Sequence, residues 1–197
     1  MRFRLFGTEI YVSFLFMAVI SIMLATDKTG MALPTLFAVF SHEIGHLFCM
    51  WLIDCAPKRI KLIPTSVQIT APFSKKYQND ILIALCGPLV NYLLFFTLYF
   101  NYLTFKNQIT LYYALINLII GSFNMLPVCG LDGGTILFSI LAKRMQLNRA
   151  NLILKAVTFF IGLLALIGAI YLTVQGKTNL SLYIMVLYLI IMSIIKM

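Results

Sequence analysis

His42, Glu43 and His46 stand in the run FSHEIGHLFCM, residues 40–50, inside one of the most apolar parts of the chain. A helix turns once every 3.6 residues, so histidines four apart project from one face and can bind a single cation. Glu43 lies about 100° round the helix from His42, within reach of a water on that cation without being a ligand. The pattern His-Glu-x-x-His thus offers two zinc ligands and a carboxylate that takes a proton from the water. The plainer reading is a pair of histidines that merely hydrogen-bond between packed helices. Against it, these are the only two histidines in the chain, and ionisable groups at membrane depth are costly enough to mark function.

Catalytic zinc usually has three protein ligands and one open position. With no histidine left, the third is a cysteine or one of six carboxylates: Glu9, Asp27, Glu43, Asp54, Asp80 and Asp132. Glu43 is assigned as the base. Asp27 falls in a loop on the far side, and Glu9 and Asp80 flank helix entrances where a charge is easily solvated. Asp54 ends the histidine helix, eight residues beyond His46 and about 12 Å along the axis, too far for a shared cation. Asp132 sits in NMLPVCGLDGGTILF, where Pro127 stops a helix and Gly130, Gly133 and Gly134 permit a turn that tucks the carboxylate back into a bundle. An aspartate that only caps the helix beginning at GGTILF is the competing reading.

The elements that must position these residues are membrane helices. Of 197 residues 61% are hydrophobic and 11% charged, and mean hydropathy is +0.97, which excludes an ordinary soluble domain. Six apolar segments, roughly 10–25, 31–53, 81–103, 109–127, 152–174 and 179–196, approach the about 20 residues a span needs. The expected fold is an all-α polytopic membrane bundle of about six transmembrane helices, a single domain over residues 1–197. The longest polar stretch, Asp54 to Asp80, is too short for a core of its own.

The net charge of +9 is spread over short loops, so topology explains it better than nucleic acid does. With a cytoplasmic N-terminus, Arg2, Arg4, Lys58, Arg59, Lys61, Lys75, Lys76, Lys143, Arg144, Arg149 and Lys196 lie inside, and only Lys28, Lys106 and Lys177 outside. That asymmetry puts both termini in the cytoplasm of a multi-pass cell-membrane protein. LATDKTG lacks a small-x-small cleavage site, so the first segment is not read as a removed signal. Cys49, Cys55, Cys86 and Cys129 form no CxxC pair and are expected to be reduced.

Three motifs in order resemble the site-2 protease family of intramembrane zinc metalloproteases, peptidase M50. HEIGH (His42, Glu43, His46) matches the family's HExxH, GPLVN (Gly87, Pro88, Asn91) resembles its GPxxN, and NMLPVCGLDGG (Asn124 to Gly134) matches its NxxPxxxLDGG. The plan looks most like the minimal six-helix, sporulation-type branch, without room for a PDZ or CBS domain. The resemblance implies that Asp132 is the third ligand of one zinc and that cleavage occurs in the membrane toward its cytoplasmic face. It implies a membrane-embedded or membrane-tethered protein substrate, such as a pro-sigma factor, and leaves room for a membrane inhibitor or regulator. Asn124 is carried over as a contact to the substrate backbone or oxyanion. Asn91 is divided between such a role and one interhelical amide bond beside a Gly-Pro kink. Cys129 and Gly130 depart from the family, which often has proline there, and are expected to loosen the Asp132 turn.

Residues 58–76, rich in β-branched residues between lysines, read either as an ordinary basic loop or as a membrane-edge hairpin able to pair with an unwound substrate. The alternative to a protease is a membrane metal transporter or metal-sensing scaffold. One ligand cluster without further intramembrane carboxylates disfavours a transport path.

Overall fold

The computed structural model describes residues 2–5, 8–55, 57, 59–63, 66–70, 77–176, 183–184 and 186–187. They fall into two compact units, Met1–Phe123 and Asn124–Met197.

The first unit opens with two strands, β1 (Arg2–Leu5) and β2 (Thr8–Val12), followed by α1 (Phe14–Thr26) and α2 (Ala32–Leu52). Strands β3 (Arg59–Ile63) and β4 (Ser66–Thr70) come next, then α3 (Tyr77–Phe105) and α4 (Gln108–Asn124), whose last residue opens the second unit. The four strands form one sheet in the order β1-β2-β3-β4. The hairpin reading of residues 58–76 holds for the described strands, which pair antiparallel with Arg59 opposite Thr70. Its connection to the N-terminus is new: β2 pairs parallel with β3, Glu9 opposite Arg59. An Arg59 to Glu9 ion pair at 3.0 Å lies on this register. Both side chains are exposed, so it adds at most about 1 kcal/mol.

These strands move the start of the first apolar segment. Ile10, Tyr11 and Val12 belong to β2, and α1 keeps only 13 residues. At 1.5 Å per residue that is about 20 Å, short of the roughly 30 Å hydrocarbon layer. Helices long and apolar enough to cross, among the described residues, are Ala32–Leu52, Tyr77–Phe105 and Leu147–Val174. The expected segment 179–196 falls almost wholly outside the described residues, as do Lys58, Lys75, Lys76, Lys177 and Lys196. Helix α3 turns Phe96, Phe100 and Phe105 outward. The medium that accepts so apolar a face is lipid.

Both ends of α2 are closed by aspartates. Asp27 reaches forward so that its carboxylate accepts from the Ala32 N–H at 2.8 Å and from the Thr29 N–H and hydroxyl. At the other end Asp54 adopts φ 54°, while the Cys55 N–H bonds to Met50 and the Asp54 N–H to Trp51. This is a Schellman closure with aspartate in the left-handed position. Glu9, Asp27 and Asp54 are thereby given structural work, and Asp80 sits in the first turn of α3, where the helix dipole favours a carboxylate.

The second unit holds α5 (Asp132–Ala142) and α6 (Leu147–Val174). The six apolar segments leave out 132–142, and a helix beginning at GGTILF enters only with the competing reading of Asp132. Pro127 and the glycine-rich turn end one helix, and TILFSILA supplies enough apolar surface to begin another against α6.

Candidate metal centre

His42 and His46 are buried on α2, one turn apart as the spacing required. Their Nε2 atoms approach to 3.1 Å. Two nitrogens each about 2.0–2.1 Å from one tetrahedral zinc would lie roughly 3.3 Å apart, so the pair suits a shared cation.

The other ring nitrogens point into protein. Nδ1 of His46 is 2.7 Å from the carbonyl oxygen of Ile83 on α3. A carbonyl only accepts, so this nitrogen carries a proton, and in the neutral ring Nε2 then has a lone pair for a metal. Nδ1 of His42 is 2.6 Å from Oδ1 of Asn91. Histidine ligands to metals characteristically tie up their second nitrogen in this way.

Close approach of α3 to the ring pair depends on Gly87. A Cβ there would overlap Nε2 of His46 and lie 2.8 Å from Nε2 of His42. Any larger residue would occupy the space in front of the two nitrogens. One residue on, Pro88 lies inside α3 and brings no N–H to the carbonyl of Ala84, four residues back.

Asn91 is wholly buried. Besides His42 it bonds the Ala38 carbonyl at 3.0 Å and Oδ1 of Asn117 at 2.9 Å. The interhelical amide bond anticipated for it is therefore present, with three partners instead of one. Glu43 follows His42 on α2 and is half-buried.

In the second unit, Asp132 is the first residue of α5 and half-buried. Leu131, in extended conformation, occupies the cap position, so Asp132 is not the N-cap that the competing reading made it. The preceding turn is firmly built. The Leu131 N–H bonds to the Val128 carbonyl at 3.1 Å, with Gly130 at φ 93° in the third position, as in a type II turn. Proline, fixed near −65°, could not take that φ. The Cys129 N–H donates to Oγ1 of Thr158 at 2.9 Å, whose hydroxyl donates to the Leu154 carbonyl at 2.8 Å. The expected loosening at Cys129 and Gly130 is thus not found: the Cys129 N–H is bonded and Gly130 takes the φ that the turn requires. Cβ atoms at Gly133 and Gly134 would strike the Met125 and Val128 carbonyl oxygens, which packs the LDGG segment against the turn. Asn124 closes α4, eight residues before Asp132.

Asn117 and Thr158 escaped the sequence reading. Each is a polar residue with apolar neighbours on both sides in its helix, and that is the signal that could have found them.

Comparison with known proteins agrees with this construction. The model of peptidase family M50 matches residues 103–168, the stretch containing Asn124, Asp132 and Thr158. The chain is 28% identical over 155 residues to the zinc metalloprotease MJ0392 of Methanocaldococcus jannaschii, covering 72% of this chain. It spans 45% of that relative's length. The solved site-2 protease from Methanocaldococcus jannaschii has the same fold, with a TM-score of 0.71 at 20% identity over 98% of this chain and 93% of that one. The chain is thus similar to peptidase family M50 over residues 103–168 and shares the fold of the solved site-2 protease.

Proposed function

We propose that this chain is a zinc metalloendopeptidase that cuts its substrate within the membrane, with His42, His46 and Asp132 holding one zinc and Glu43 as general base. The observation that carries the reading is the His42 and His46 pair: two Nε2 atoms 3.1 Å apart, each ring tied down at Nδ1. Gly87 keeps the space before them open. Asp132 joins them through the family motif in which it stands.

Zinc, when bound, would acidify a water and polarise the scissile carbonyl. Glu43 takes the proton from the attacking water and returns it to the leaving amine, the ordinary two-way duty of a general base. His42 and His46 would present Nε2 to the metal, with Nδ1 of each ring turned to Asn91 and Ile83. Asn124 contacts the substrate backbone or oxyanion. For Asn91 a substrate contact is the weaker assignment, since all its observed bonds are to protein.

The substrate class is a transmembrane or membrane-tethered regulatory protein, such as a pro-sigma factor, cut near the cytoplasmic face. Pairing of β2 with β3 keeps residues 9–12 and 59–62 on one side of the membrane. That supports a cytoplasmic basic flank made from the N-terminus and the β3–β4 hairpin. Strand β4 is an edge of the sheet and offers unwound substrate a place to pair.

The test compares membrane-protein N-termini in cells carrying wild type or Glu43→Gln. New N-termini within or beside a transmembrane segment, present only with wild type, are expected. Identical sets of N-termini would remove the proteolytic reading.

A further inference from the structure

Nδ1 of His42 faces an amide, a group that can donate or accept, whereas His46 faces a carbonyl that can only accept. Something must therefore orient Asn91 before His42 can have a defined tautomer. Two groups do so. Ala38 presents a carbonyl 3.0 Å from one end of the Asn91 amide, and a carbonyl requires the NH2 there. Oδ1 of Asn117 takes the second N–H at 2.9 Å. Asn117 in turn cannot be reversed, because its own NH2 donates to the Tyr113 carbonyl at 2.8 Å. Both asparagines are fully buried, so no water can stand in for a lost partner.

We propose that Asn117 is a positioning residue: through Asn91 it holds His42 as the Nδ1–H tautomer and so presents Nε2 to the metal. The chain of donors runs in one direction, from His42 to Asn91 to Asn117 to Tyr113, with Ala38 as a second anchor. Reversing Asn91 would set its oxygen against the Ala38 carbonyl and the Asn117 oxygen together. With Asn117 replaced by an apolar residue, one of those two oppositions disappears and one buried N–H loses its acceptor. The inference rests on the metal-site reading above, but its readout requires neither metal nor proteolysis.

The chain has two histidines, so 15N-histidine labelling of the full-length protein in detergent gives a simple ring-nitrogen spectrum after chelation. Wild type is expected to show an Nδ1–H correlation from each ring. In Asn117→Leu the His42 signal weakens while Nε2–H appears, and the His46 signal, held by Ile83, stays. Asn117→Asp, whose protonated carboxyl can donate to the Tyr113 carbonyl as the amide does, keeps an oxygen toward Asn91 and restores the wild-type pattern. Zinc affinity follows, falling about tenfold in Asn117→Leu and recovering in Asn117→Asp. An unchanged His42 signal in Asn117→Leu overturns the inference, as does equal disturbance of both rings. Should Asn117→Leu not fold, Asn117→Asp decides: loss of the His42 Nδ1–H with an acceptor in place is fatal to the proposal. A protein that shows the tautomer shift but cleaves nothing leaves this inference standing and removes only the proteolytic reading.

Discussion

Nε2 of His42 faces Nε2 of His46 at 3.1 Å, an arrangement the two rings reach by committing their other nitrogens to α3. Nothing on α2 alone would hold it. The third helix supplies the Asn91 amide, the Ile83 carbonyl and, at Gly87, the absence of a side chain.

Gly87→Ala is expected to push a methyl group into the His46 ring and the His42 nitrogen. Zinc affinity should fall by about tenfold or more, comparable to losing an outer-shell partner. Gly168→Ala, where an added Cβ meets nothing, should leave zinc in place and stabilise the helix by up to about 1 kcal/mol. Metal analysis and thermal unfolding of both variants check this.

Thr158→Val removes the acceptor of the buried Cys129 N–H while keeping the side chain's shape. The cost should be about 1–3 kcal/mol, and the turn leading into Asp132 should loosen. Thr158→Ser, which retains the hydroxyl, should recover most of it. Unfolding in detergent reads the first effect, and amide exchange at Cys129 and Leu131 reads the second.

Asp27 is held at a pKa of about 2, below its ordinary 3.8, chiefly by the Ala32 N–H and then by Thr29. A depressed carboxylate pKa means the bonds are fully in force above 3.8 and are lost as the pH falls to about 2. The Ala32 amide should therefore stay protected from exchange at pH 4 and lose protection near pH 2. Protection that disappears already near pH 4 would contradict the Asp27 closure of α2.

The candidate metal-binding pattern was legible because it is local: HEIGH needs only helical periodicity, and LDGG after Pro127 announces its own turn. The β3–β4 hairpin was half legible for the same reason. The partnership of β2 with β3 was not, since fifty residues separate Glu9 from Arg59, and Ile10 to Val12 read equally well as the start of an apolar helix. Asn91 was seen but its partners were not, because amide orientation is decided by carbonyls on two other helices. Helix α5 is legible only through the competing reading of Asp132, because eleven residues carry too few turns for a clear period.

Zinc per chain in purified protein tests the central claim most directly, with Asp132→Ala, His46→Ala and Asp54→Ala beside wild type. One zinc is expected in wild type and in Asp54→Ala, and a marked loss in Asp132→Ala and His46→Ala. Folded wild type that takes up no zinc, or an Asp132→Ala protein that holds it as tightly as wild type, would contradict the account.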